Sequence, residues 1–487
     1  MGYKAGVDRK QQVLFPETLD EYVSADNPVR VIDAFVDDLD VVKLGFERAV
    51  PASEGAPGYD PRDLLKLYIY GYLNRTRSSR RLEVETHRNL DVIWLMRKLR
   101  PDHKTIAEFR RKHVTELKRV GREFVLLCGK LKLFSAELVF VDGSKLRAVN
   151  SKDRNFTKGK LKALLKRIDA HIAEYLAEVE AQDAAEAGQP GATDPQLAEK
   201  LKALRERKER YEDLQKRLEE SGESQISLTD ADSRLMKSQG DMKVCFNAQI
   251  AVDAKHHLIV AEDVTNEVND EWQLAPMAVA AKEALGVETL EVAADAGYHV
   301  GTQVVECEAN GITPYAPKPK SSSKNDAQGR FTKEAFTYSA ERDAYRCPAG
   351  QWLDLSTRTE VKGRTMRYYA NWQACAGCPL RDKCTTSEQG RRIMRTPEEE
   401  RLEAMAGRLK ARPELMLQRK SSVEHPYGTM KWTWNGYHFL VKGLKKVKGE
   451  FSLMTLAYNL RRVLSLLGVE CVLEALRTGK MPIPRPV

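Results

Sequence analysis

The sequence predicts a mixed α/β protein with an all-helical N-terminal part and two insertions, one a helical hairpin and one a small cysteine-bearing module. Three observations carry this. Two short apolar runs, Glu137–Asp142 and Thr289–Asp295, end in an aspartate with glycine close behind, as buried strands leading into a turn do. Between about 158 and 220, apolar residues recur every three or four positions, the spacing of helices that pack on one another. Cys347, Cys375, Cys378 and Cys384 fall together in a stretch rich in tyrosine and tryptophan.

The chain has 487 residues, a formal net charge of +9 and 31% charged residues. That length allows several domains. The charge suits a polyanionic partner without requiring one. No apolar run is long enough to span a bilayer, and the first residues lack the apolar core of a signal peptide, so the expected location is cytoplasmic.

In the N-terminal part, residues 1–55 form a mixed lead-in. Asp60-Pro61 is a cap followed by a favoured first helical residue, with Leu64, Leu65, Leu67, Tyr68 and Tyr72 on the apolar side. Ser78 and Ser79 cap a second helix bearing Arg80 and Arg81. Thr105–Glu108 has the form of a capping box opening a third, with Phe109, Val114, Leu117 and Val120 inward and Arg110, Arg111 and Lys112 outward. Short helices separated by basic turns are compatible with a helix-turn-helix-like DNA reader or with a plain helical bundle.

In the middle of the chain, the run ending in Asp142 reads as a strand delivering a carboxylate to a sheet edge. Leu161, Leu165, Ile168, Ile172, Tyr175 and Val179, then Leu197, Leu201, Leu204, Tyr211 and Leu218 after a Gly188–Gly191 turn, spell an antiparallel helical hairpin. Val244–Asp253 and Leu258–Ala261 form a hairpin through Ala254–His257. Asn269-Asp270 caps a helix from about Glu271 to Ala284, and Ile312–Ala316 is a further strand. Parallel pairing of the two aspartate-terminated strands would bring Asp142 and Asp295 together. With Glu424 from a packed helix, three carboxylates could hold two divalent ions about 3.5–4 Å apart.

Cys375 and Cys378 form a C-x-x-C pair that Cys347 and Cys384 can complete to a four-thiolate structural zinc site, with a redox pair as the rival. Cys128, Cys245, Cys307 and Cys471 read as small hydrophobes. Beyond the cysteines, Glu424 stands among basic residues, two helical turns before Lys431, with Trp432, Trp434, Tyr437, Lys442, Lys445 and Lys446 following. An acid surrounded by cations suits a metal ligand beside a phosphate backbone; a solvated amphipathic helix is the alternative.

These segments, in order, resemble the DDE transposases of bacterial insertion sequences, in the RNase H-like superfamily with retroviral integrase. The resemblance runs through Tyr59–Arg62, Ser78–Glu83 and Arg100–Ile106 to Phe140–Gly143, Ala294–Tyr298, Val423–Lys431 and Leu456–Arg462, and the cysteine pattern occurs in one branch of the family. The family's acidic-helix signature is Tyr, two residues, Arg, three residues, Glu, six residues, Lys. Here Glu424 and Lys431 fit, Leu417 stands at the Tyr position, and Lys420 at the Arg position with Arg419 one residue earlier.

The resemblance implies an RNase H-like core at 131–157 and 225–320, completed by 401–487. It further implies a helical DNA-binding domain at 1–130, a hairpin insertion at 158–224 and a zinc-ribbon-like insertion at 321–400. Asp142, Asp295 and Glu424 would hold two Mg2+ or Mn2+ ions, with Asp270 as runner-up for the second acid. Lys431 with Arg419 or Lys420 would contact phosphate, and Arg80, Arg81, Lys442, Lys445 and Lys446 would contact DNA. The implied activity is binding of terminal inverted repeats, strand cleavage and strand transfer to target DNA. A homodimer or larger assembly on DNA and a nucleoid-associated location follow from the same resemblance. A nuclease that cuts without joining, or a domesticated non-catalytic DNA binder, are the alternatives.

Overall fold

A computed structural model describes residues 18–51, 53–54, 57–185, 195–238, 240–319, 328–361, 363–434 and 436–479 of the chain. The N-terminal part is helical: α1 (Pro28–Asp37), α2 (Pro61–Leu73), α3 (Ser79–Arg88), α4 (Leu90–Leu95), α5 (His103–Lys112) and α6 (Val114–Lys130). The Asp60 carboxylate caps α2 through Arg62 N at 2.8 Å, as its sequence foretells.

Three local expectations change here. The lead-in contains α1, capped by Asn27 and opened by Pro28. The third expected helix is two, broken at His113, and Asp102 rather than Thr105 caps the first of them, accepting from Thr105 N at 2.6 Å. Arg110 points inward. Its guanidinium lies over the Tyr68 ring and donates to Tyr72 Oη at 3.3 Å, so aromatic faces and a hydroxyl replace the water it gives up.

The central sheet is mixed. It contains β1 (Leu138–Arg147), β4 (Arg234–Ser238), β5 (Asp241–Asp253), β6 (Ile259–Thr265), β7 (Leu290–Ala293) and β8 (Ile312–Tyr315), while β2 (Asn155–Thr157) and β3 (Gln225–Ser227) pair separately. Sheet order is β4-β5-β1-β7-β8, with β6 also on β5. β1 runs antiparallel to β5 and parallel to β7, with Phe140 opposite Ala293. The expected parallel pairing of the two acidic strands is therefore present. β1 does not stop at Asp142, however. It continues to Arg147 because β5 is long enough to pair with it throughout.

α7 (Lys158–Ala185) and α8 (Pro195–Glu220) pack through Leu161, Ile168, Tyr211, Leu214 and Leu218, and Lys208 bridges to Asp169 at 2.8 Å. The Gly188–Gly191 turn and the side chains of Val179 and Leu197 lie outside the described residues. α9 (Leu274–Leu285) begins three residues later than expected, and Asp270 does not cap it. α10 (Gly301–Ala309) follows β7.

A second, five-stranded sheet comprises β9 (Thr337–Ser339), β10 (Ala344–Arg346), β11 (Trp352–Val361), β12 (Arg364–Ala370) and β13 (Arg392–Arg395), with the short α11 (Trp372–Ala376) between the last two. α12 (Glu399–Ala411) and α13 (Leu415–Gly428) lead back to the central sheet. α14 (Leu444–Thr478), kinked at Gly468, runs along its face and against the N-terminal helices. The Asn459 side chain fixes α14 to β6, accepting from Ile259 N at 2.8 Å and donating to Ile259 O at 2.7 Å. No helix among the described residues is long and apolar enough to cross a membrane.

Candidate active site

The neighbouring strands β1 and β7 each deliver an aspartate. Asp142 sits within β1, and Asp295 lies two residues past β7, where its carboxylate accepts from Gly297 N at 2.8 Å. α13 lays Arg419 across both. Arg419 Nη2 is 2.7 Å from Asp142 Oδ1 and 3.7 Å from Asp295 Oδ2. Tyr427 fastens the same helix to the sheet, donating to Ala248 O at 2.7 Å, with Asp142 O at 3.2 Å.

Asp270 is a third carboxylate close by. Asn247 Nδ2 and Gln249 Nε2 each donate to its Oδ1 at 2.7 Å, and Lys145 Nζ lies 3.0 Å away. Tyr298 holds Gln249 in turn through its side-chain carbonyl. Gly143 is required here: a Cβ at that position would stand 2.5 Å from Asp270 Oδ1.

The electrostatics follow from this crowding. Burial pushes the Asp142 carboxyl up to about 6; Arg419 pulls against it, while Asp295 and Asp270 add to the rise. Burial also lowers the Lys431 ammonium, with Asp142 opposing. Lys431 bonds the Ser144 hydroxyl, two residues along β1 from Asp142.

The structure thus brings Asp142, Asp295, Arg419 and Lys431 to one end of the sheet. It does not bring Glu424 to the aspartates. Glu424 lies five residues after Arg419, about 140° round the helix; its side chain is 65% exposed and 4.0 Å from Lys420. It stands about 60° from Tyr427, at the rim of the face that covers Asp142. Arg80, Arg81, Lys442, Lys445 and Lys446 are all exposed. Trp434 is buried, whereas Trp432 is 72% exposed.

Sequence reading missed the role of Asn247 and Gln249. Both are fully buried at alternate positions of an otherwise apolar strand. Two amides at period two inside such a strand were the available signal, since buried amides need partners. Tyr427 and Lys145 carried no such mark.

The four clustered cysteines line one cavity of about 30 Å³ together with Phe331, Phe336 and Leu353. Burial raises the Cys384 thiol, and the other three thiols add to the rise. Among the described residues, no group of three or more His, Cys, Asp or Glu side chains is arranged to hold a metal ion.

Residues 17–112 match the family described as a transposase domain (DUF772), and residues 346–464 match the family described as a transposase DDE domain. No curated protein matches the chain. The cryo-EM structure of the piggyBac transposase synaptic complex with hairpin DNA aligns with 94% of this chain and 80% of its own, at 9% identity and a TM-score of 0.30, too low to define a shared fold.

Proposed function

The chain belongs to the DDE transposases, and we propose that it binds the terminal inverted repeats of its element and performs metal-dependent DNA strand cleavage and strand transfer. One observation supports this most: two aspartates from parallel neighbouring strands meet under a helix of the matched DDE domain, with cations on either side. A mixed sheet with acids on adjacent strands also favours an RNase H-like core.

The donor set suits Mg2+ or Mn2+. Oxygen ligands match these hard ions, and Mg2+ is commonly held by one or two carboxylates plus substrate phosphates. Asp142 and Asp295 would hold the cations, with Glu424 contributing from the helix rim. When bound, two such ions activate the attacking oxygen and stabilise the leaving one.

The protein's own groups supply the rest. Tyr427 sets the distance between α13 and β1. Asn247 and Gln249 fix Asp270, whose carboxylate keeps Lys145 beside the acids. Arg419 neutralises the aspartate pair, and Lys431 faces the phosphodiester. Arg80, Arg81, Lys420, Lys442, Lys445 and Lys446 are exposed and free to meet a DNA backbone, and two copies would hold the two ends. The cysteine cavity suits a structural zinc ion through its all-thiol donors.

The test is excision of a marker flanked by the DNA ends that border this gene, comparing wild type with Asp295→Asn. Excision by wild type alone supports the reading. Equal excision by both sinks the assignment of Asp295. A variant that still binds the ends, in a protein that never excises, favours a domesticated DNA binder.

A further inference from the structure

Past Asp142, β1 carries two cations, Lys145 and Arg147, and β5 adds Lys243. The segment after α13 pairs back onto the end of β1: Arg147 N donates to Tyr437 O at 2.9 Å, and Phe439 N donates to Arg147 O at 2.9 Å. This brings Lys431, Trp432 and Tyr437 to the same place. Together these side chains line a cavity of about 220 Å³, and no acidic side chain lines it.

The cations are poorly neutralised. Lys145 is shared with Asp270. Lys243 reaches only the exposed Asp241, at 3.8 Å. The Arg147 guanidinium lies over the Tyr437 ring, 4.6 Å from its centroid, and Lys431 bonds the neutral Ser144 hydroxyl. Among the described residues neither Arg147 nor Lys431 has a carboxylate partner. Four cations converging on one concave space repel one another unless an anion joins them.

We propose that this cavity seats a backbone phosphate of a single DNA strand beside the aspartate pair. The ligand class rests on the transposase reading; the site itself rests on the cation geometry. Ser144, held by Lys431, is roughly 7 Å along β1 from Asp142. A strand with one phosphate in the cavity therefore presents a neighbouring phosphodiester to the acids. The cavity is distinct from the exposed Lys442, Lys445 and Lys446, which suit a duplex backbone.

The experiment is fluorescence anisotropy of a short labelled single strand on the full chain in EDTA, across a salt series. The Arg147→Gln/Lys243→Gln pair should weaken binding at least tenfold. It should also reduce the salt slope by about 1.4, at about 0.7 per lost phosphate contact. The charge-matched pair Lys130→Gln/Lys410→Gln, both exposed elsewhere, should leave the slope unchanged. Arg147→Lys/Lys243→Arg keeps both charges and should bind as wild type, which guards against a folding artefact. An unchanged slope in the first pair, or equal effects of the two Gln pairs, overturns the proposal. Displacement of the strand by inorganic tripolyphosphate at equal charge concentration would make a small polyphosphate the ligand instead, and also overturns it. Binding is measured without divalent ions, so failure to cut DNA would leave this result standing. Cutting with an unaltered slope would sink only the cavity.

Discussion

Replacing Asp142 with asparagine should stabilise the fold at alkaline pH, even though it removes a salt bridge. Folding raises this carboxyl from 3.8 to about 6, chiefly through burial. Its folded value lies above its unfolded one, so its stabilising contribution is complete below pH 4 and is lost as pH rises through about 6. At pH 8 the ionised group costs roughly 3 kcal/mol, at about 1.4 kcal/mol per unit. Asparagine is neutral at every pH and escapes that cost. Arg419 loses its nearer partner but keeps Asp295 at 3.7 Å, which reduces the net gain to about 1–2 kcal/mol. For a chain of this size that is a rise in Tm of about 2–4 °C. Scanning calorimetry in EDTA at pH 8 and pH 4 is the assay: the gain should appear at pH 8 and vanish at pH 4. Adding Mg2+ at a hundredfold its Kd should stabilise the wild type by about 2.7 kcal/mol and erase the difference. A variant less stable at pH 8, or a difference that ignores pH, would refute this electrostatic picture of the site.

Other outcomes follow from the same geometry. Divalent-ion affinity measured by calorimetry should fall about tenfold per pH unit below about 6, because a proton competes for Asp142; a flat profile from pH 5 to 8 would contradict it. Gly143→Ala should displace Asp270 and weaken Mn2+ binding, read by electron paramagnetic resonance, while the N-terminal helices keep their circular dichroism. Asn459→Ala strips both hydrogen bonds from Ile259 inside the interface of α14 with β6, and should cost about 2–4 kcal/mol in denaturant unfolding. Elemental analysis of freshly purified protein should find about one zinc per chain, lost in Cys375→Ser; less than about half an equivalent in the wild type would remove the zinc reading.

Much of this architecture is legible in the sequence because it rests on local rules. Asp60-Pro61 signals the start of α2, and the three-four spacing of Leu161, Ile168, Tyr211 and Leu218 signals the hairpin. The two apolar runs ending at Asp142 and near Asp295 signal the paired strands. What escaped depends on partners distant in the chain. β1 extends past Asp142 because β5, nearly a hundred residues later, pairs with it. Arg110 turns inward because Tyr68 and Tyr72 wait on α2. Asp270 leaves the start of α9 because Asn247, Gln249 and Lys145 supply better donors. At the site, the meeting of Asp142 and Asp295 could be read from strand pairing alone. The placement of Arg419 between them and of Glu424 at the rim could not, because the rotation of α13 is set by Tyr427 gripping Ala248 and Asp142 of the sheet.

The most direct measurement is nicking of element-end DNA by the purified protein in Mg2+, comparing wild type with Asp142→Asn, Asp295→Asn and Glu424→Gln, each shown to be folded and DNA-bound. Wild type should release 3′-hydroxyl ends, and all three variants should lose at least about a hundredfold in rate. Full activity in any one of them would remove that residue from the metal-holding set. Full activity in both aspartate variants would contradict the assignment of this end of the sheet as the active site.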